Sequence, residues 1–311
     1  MKRISTFIFA VLILCIALMN ACNDNSGTLV RSKEDSLKLQ VDRGNYLVNS
    51  IFHCTMCHSQ LNFKKFSMPV IPGTEGGGGI AIHEIDSTFP GKIFIPNITS
   101  HALKDWTDKE IARAMTKGIN RDGDTMLPMM PYHEYSQMAK EDVDAVIAYL
   151  RTMKSIETNY PKRQVFIPAS FFGGDSLPDN DYTSNIKPDT ADKIKYGAYL
   201  VKLAGCKSCH TPDPDKPFSG GAEDKFPGFT VRSSNITPDS ATGIGSWTEE
   251  MFIAKFRNNS NSENVNREAG KYNTIMPWSL FGSISENDLK SIYAYLRSLP
   301  PVHNTVVKWP E

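Results

Sequence analysis

Two pentapeptides decide the architecture: Cys54-Thr55-Met56-Cys57-His58 and Cys206-Lys207-Ser208-Cys209-His210. Both read C-x-x-C-H, and at this chain's residue frequencies one such pattern is expected about 0.003 times by chance. The spacing suits one chemistry. Two thiols add across the vinyl groups of one haem, and the adjacent histidine turns under the ring to become the proximal iron ligand. A zinc site would gather both pairs into one four-ligand cluster, yet 148 residues lie between Cys57 and Cys206. A redox C-x-x-C wants a βαβ setting that neither flank supplies, and structural disulfides leave the two histidines unexplained. The expectation is two covalently bound haem c groups, on Cys54 and Cys57 and on Cys206 and Cys209, with His58 and His210 as iron ligands.

The repeat extends outward from these pairs. Arg43-Gly44-Asn45-Tyr46-Leu47-Val48 matches Tyr196-Gly197-Ala198-Tyr199-Leu200-Val201, and Pro96-Asn97-Ile98-Thr99 before Trp106-Thr107 matches Ser234-Asn235-Ile236-Thr237 before Trp247-Thr248. Met130-Pro131-Tyr132 then matches Met276-Pro277-Trp278, and Ala148-Tyr149-Leu150-Arg151 matches Ala294-Tyr295-Leu296-Arg297. The same order in both halves marks a tandem duplication.

The periodicity is helical. Leu37, Val41, Gly44, Val48 and Ile51 form a stripe before the first pair, with the glycine placed to let another helix approach. Thr107 to Glu110 reads as a capping box closed by Gly118, and Thr248 caps alone because Met251 takes the box position. Val143, Val146, Ile147 and Leu150, and likewise Leu289, Ile292, Tyr293 and Leu296, are single apolar stripes, the second opened by Ser285. No alternating strand stands out, so the fold class is all-α. Gly73-Thr74-Glu75-Gly76-Gly77-Gly78-Gly79 lacks the ending of a phosphate loop and reads as a mobile loop. The repeated Asn-Ile-Thr reads as a structural turn rather than a glycosylation acceptor.

Composition sets outer limits. With 34 Lys+Arg against 34 Asp+Glu in 311 residues, no cationic field exists to attract nucleic acid. The apolar run at residues 7–19 follows Lys2 and Arg3 and is too short to span a bilayer, so it reads as an export signal. Met19-Asn20-Ala21-Cys22 resembles a lipoprotein cleavage site, with Cys22 lipidated and anchoring the chain at a membrane; plain signal cleavage is the alternative.

In this order these features resemble the cytochrome c family in its small all-helical form, one haem per domain. More narrowly, Asn-Ile-Thr, the Met-Pro-aromatic loop, Ala-Tyr-Leu-Arg and Phe171-Phe172-Gly173 are similar to the multi-haem cytochrome c subunits of periplasmic alcohol, aldehyde and gluconate dehydrogenases. Those subunits commonly carry three haem domains, and this chain has two. The expected organisation is a lipoprotein-type signal peptide (1–21), a tether (22–40), cytochrome c domain 1 (41–155), a linker (156–190) and cytochrome c domain 2 (191–311).

A thioether opposite the histidine would close the iron for electron transfer. Met126, Met129 and Met130 compete in the first half; alignment with Met276-Pro277 selects Met130, with Met129 the rival. His53, His83, His101, His133 and His303 read as exposed or locally bonded side chains, with His133 the alternative ligand. Trp106 and Trp247 either pack at a haem edge or staple a helix start. The implied protein is no enzyme but a di-haem relay. It passes single electrons from a dehydrogenase or quinol-oxidising donor to a terminal oxidase or soluble cytochrome, at the periplasmic face of a bacterial membrane. A di-haem peroxidase with one open iron position is the competing reading.

Overall fold

The computed structural model describes residues 32–82, 91–161, 164–165, 168–174, 176–179 and 181–311. The residues read as an export signal, Cys22 and His83 lie outside them. The chain divides into two units, Met1–Lys38 and Leu39–Glu311, and everything below concerns the second unless stated.

Among the described residues six longer helices carry the fold: α1 Lys33–Tyr46, α2 Asp108–Lys117, α3 Lys140–Thr152, α4 Lys193–Leu203, α5 Glu249–Ser260 and α6 Glu286–Arg297. The fold is all-α in its framework, as the periodicity predicts. Two antiparallel pairs of short strands escaped that reading: β1 (Gly91–Lys92) with β2 (Gln164–Val165), and the hairpin β3 (Glu223–Phe226) with β4 (Phe229–Arg232). The hairpin is only four residues a side, and its charged stretch Glu223-Asp224-Lys225 hides the alternation.

Local chemistry sets the helix ends. Thr107 and Glu110 form the complete capping box and Gly118 closes α2 at φ +69°, while Thr248 caps α5 by accepting from the Met251 amide. Ser285 caps α6 by accepting from the Asp288 amide. The stripe Val143, Val146, Ile147 and Leu150 of α3 is buried, as are Leu289, Ile292 and Leu296 of α6. The expected stripe on α1 departs at its start, where Leu37 is exposed. Its later turn is also altered, because Leu47–Ile51 winds as a π-helix that shifts the register and buries Leu47, Val48, Ser50 and Ile51.

Each repeat closes by crossing its first helix over its last at a glycine. A Cβ on Gly44 would lie 1.9 Å from the Ala145 carbonyl oxygen, and one on Gly197 would lie 1.9 Å from that of Ser291. The two repeats then exchange a matching bond. Tyr46 of the first donates to Asp288 at 2.6 Å and accepts from the Ser285 amide at 3.1 Å. Tyr199 of the second donates to Asp142 at 2.7 Å and accepts from the Ala139 amide at 3.1 Å. Arg43 adds a bidentate pair to the buried Asp142 at 2.8 and 3.0 Å. Burial and the adjacent carboxylates hold both tyrosines above the ordinary phenol range. Among the described residues no helix is long and apolar enough to cross a membrane.

An alanine in mid-helix ordinarily gains about 0.5–1 kcal/mol over glycine. At Gly44 and Gly197 the clash reverses the sign: each Gly→Ala protein should lose about 1–3 kcal/mol of stability in urea titration.

Candidate functional site

His58 and His210 are positioned by the same device, built from three segments. The His58 Nδ1–H donates to the Pro96 carbonyl at 2.7 Å, and that of His210 to the Ser234 carbonyl at 2.6 Å. Each carbonyl directly precedes Asn-Ile-Thr. The Asn97 side-chain oxygen accepts from the Thr99 amide and hydroxyl at 2.8 and 2.7 Å, and Asn235 does the same for Thr237 at 2.9 and 2.7 Å. The repeated tripeptide is thus a turn, as its repetition suggests.

A strap from the end of each repeat locks that turn: the Asn97 side-chain Nδ2 donates to the Ile156 carbonyl at 2.7 Å, and the Asn235 Nδ2 to that of Val302 at 2.8 Å. Glycines brace the histidine from behind. The Gly78 amide donates to the His58 carbonyl at 2.7 Å, and that of Gly220 to the His210 carbonyl at 2.9 Å. Gly78 and Gly220 both stand at φ +73°, pressed on the backbone of Asn97 and Ser234–Asn235, where a Cβ would come within 2.6 Å of the asparagine nitrogen. This corrects the mobile-loop reading. Gly73 is exposed, but Gly76, Gly77 and Gly78 are buried and hydrogen-bonded. The signal was the glycine pair shared by both repeats, obscured because Gly78 lies 20 positions after His58 and Gly220 only 10 positions after His210.

Burial lowers the pKa of His58 and of His210, with the accepting carbonyls opposing. A neutral ring that donates through Nδ1 leaves the Nε2 lone pair for a metal. The four thiols of the two pairs are free. Burial first, and then the partner thiol, pushes Cys54 and Cys206 up to about 12. Thiols kept protonated disfavour a thiolate metal cluster. Among the described residues no three His, Cys, Asp or Glu side chains converge to hold a metal.

One continuous cavity of about 2330 Å³ is lined by both C-x-x-C-H motifs and by Met130 and Met276. An ordinary ligand pocket is about 300–1,000 Å³. The two methionine loops share one backbone course. Pro131 and Pro277 have φ −79° with ψ 54° and 60°, and the Tyr132 and Trp278 amides both bond back to the methionine carbonyl at 2.8 Å. Met126 and Met129 also line the cavity; Met129 is 47% exposed, whereas Met130 packs on the core. Trp106, Trp247 and His133 also line the cavity. His303 pairs with Asp239 at 3.5 Å. His53 departs from the expected exposed or locally bonded state. It takes φ +43° where the second repeat has Gly205, stands edge-on to Phe281 with centroids 5.3 Å apart, and leaves its buried Nδ1 without a hydrogen-bond partner.

The cytochrome c family model matches residues 41–154 and 194–300. This chain belongs to the cytochrome c family. The cytochrome is 29% identical over 276 residues to the fructose dehydrogenase cytochrome subunit of Gluconobacter japonicus, covering 84% of this chain and 52% of that protein. It is 27% identical over 283 residues to the gluconate 2-dehydrogenase cytochrome c subunit of Pantoea cypripedii, covering 83% and 59%. A diheme cytochrome c-type protein of Cereibacter sphaeroides is 23% identical over 263 residues, covering 80% and 82%. The chain thus spans only part of the dehydrogenase subunits it matches. Family membership brings covalent haem c, and the free thiol pairs, neutral carbonyl-bound imidazoles and apolar cavity fit that group.

Asn97→Ala or Asn235→Ala removes hydrogen bonds at a buried turn and frees the carbonyl that aims the histidine. Each should cost about 2–4 kcal/mol in chemical denaturation of the haem-loaded protein.

Proposed function

We propose that this cytochrome is a two-haem electron relay, each haem held between a histidine and a methionine. The observation that carries the reading is the pairing, in both repeats, of a carbonyl-fixed histidine with a Met-Pro loop on one shared cavity. Cys54 and Cys57, and Cys206 and Cys209, would hold the haems through thioether bonds, with His58 and Met130, and His210 and Met276, as the iron ligands. When bound, the haem iron supplies one-electron redox chemistry. The chain's part is to keep that centre rigid and dry. The Nδ1 bonds fix the imidazoles, the Met-Pro turns fix the thioethers, and walls such as Leu103, Ile111, Phe252 and Phe281 keep out water. Rigid ligands need little rearrangement when charge changes, and apolar surroundings set the potential. No general base or nucleophile is called for.

The named dehydrogenase subunits among its relatives support a dehydrogenase as donor; in this reading a quinol-oxidising protein is the other donor, and a terminal oxidase or soluble cytochrome takes the electron. Docking would be weak and transient, as redox encounters are. Lipidation at Cys22 would hold the chain at the periplasmic face of the membrane.

The test is cyanide binding to the oxidised, haem-loaded protein. Wild type should bind slowly at both centres; Met130→Ala and Met276→Ala should each open one centre and lower its potential. Rapid binding to one centre of the resting wild type would favour the peroxidase reading. A Met130→Ala protein with both centres unchanged would move the first ligand to Met129.

A further inference from the structure

The two methionine loops are held differently. In the first repeat the loop is fixed from within: the Met126 amide bonds to the Gly118 carbonyl at 2.7 Å and the Met130 amide to that of Leu127 at 3.2 Å. The loop of the second repeat is gripped by the first. The ten extra residues between His58 and the glycine pair form a turn, bridged at Leu61 and Val70, whose tip lies on the segment leading to Met276.

The grip is dense. The Phe66 amide donates to the Arg267 carbonyl and the Ala269 amide to that of Lys64, both at 3.1 Å. The Arg267 guanidinium lies 4.2 Å from the centre of the Phe66 ring. Asn273 accepts from the Ser67 amide at 3.0 Å and donates to the Phe63 and Lys65 carbonyls at 3.0 and 3.1 Å. At the centre, the Ser67 hydroxyl donates to the Met276 carbonyl at 2.7 Å.

This tip is strained. Ser67 and Met68 are consecutive non-glycine residues at φ +66° and +46°, a conformation costing about 1–3 kcal/mol per residue that persists only where the surroundings impose it. The surroundings do. Met68 is buried with Met56, inside the first C-x-x-C, against Phe229 and Val231 of the second repeat, with Ile275 and Leu280 packed alongside. The bend at Ser67 turns its hydroxyl onto one carbonyl, that of the proposed distal ligand.

We propose that Ser67 is a positioning residue for Met276, so that the first repeat sets the strength of the second repeat's thioether–iron bond. The inference rests on the reading of Met276 as ligand. The Met276 loop is thereby tied to the other repeat through the Ser67 bond, whereas the Met130 loop is held by bonds within its own repeat.

The test compares Ser67→Ala and Ser67→Gly in the full haem-loaded chain. The glycine variant relieves the positive φ as it removes the hydroxyl, so it keeps the fold if alanine does not. The readouts are the cyanide-binding rate at each ferric centre and the two midpoint potentials, with the Met276→Ala protein identifying the second centre. Both variants should speed binding at the second centre roughly five- to tenfold, the equivalent of one hydrogen bond lost, lower that potential, and leave the first centre as in wild type. Unchanged rates at the second centre, or equal acceleration at both, would overturn the proposal. A Met276→Ala protein with two wild-type centres would instead remove the ligand reading beneath it.

Discussion

A histidine that is to hold a metal must have one nitrogen tied down and the other free, and most of what the two repeats share serves that constraint. The bond from Nδ1 to the carbonyl before Asn-Ile-Thr fixes tautomer and ring orientation together. The carbonyl holds still because the asparagine turns the chain beneath it and the end of the repeat straps the asparagine. The histidine backbone holds still because a left-handed glycine donates to it from close range. Three segments far apart in the chain thus converge on one hydrogen bond, twice.

The second constraint is that the repeats do not stand apart. Tyr46 and Tyr199 each reach into the other repeat and bond an aspartate and the amide that opens its last helix. A charge-assisted bond of this kind contributes about 1.5–3 kcal/mol. Ser50 and Ser283 meet at 2.7 Å beside them. Symmetry ends at residues 61–70, which the second repeat lacks and which grip its methionine loop. One pairing makes the shared cavity; the other makes the two sites unequal.

Much of this was legible in the sequence. The C-x-x-C-H motifs, the glycines of the helix crossing, the caps Thr107, Thr248 and Ser285 and the stripes of α3 and α6 act through local geometry or short periods. Other features were hidden because their cause is non-local. Gly78 and Gly220 look like loop filler until Asn97 and Asn235 are placed against them. Ile156 stands at the start of the expected linker and Val302 near the end of the expected second domain, with nothing local to mark either as a strap, and no alternation marks β3–β4. His53 gave no sign of its left-handed backbone, since only comparison with Gly205 exposes it. The π-helix at Leu47–Ile51 follows from no residue preference and reflects tertiary override of the 3.6 period.

A two-haem relay requires two tetrapyrroles bonded to sulfur at Cys54, Cys57, Cys206 and Cys209. Intact-mass spectrometry of denatured protein, matured in a host that attaches haem, tests this most directly. The account predicts a mass raised by two haems, falling by one when Cys54 and Cys57 are both changed to Ala and by one when Cys206 and Cys209 are. Denatured protein carrying a single haem, or none, would contradict it.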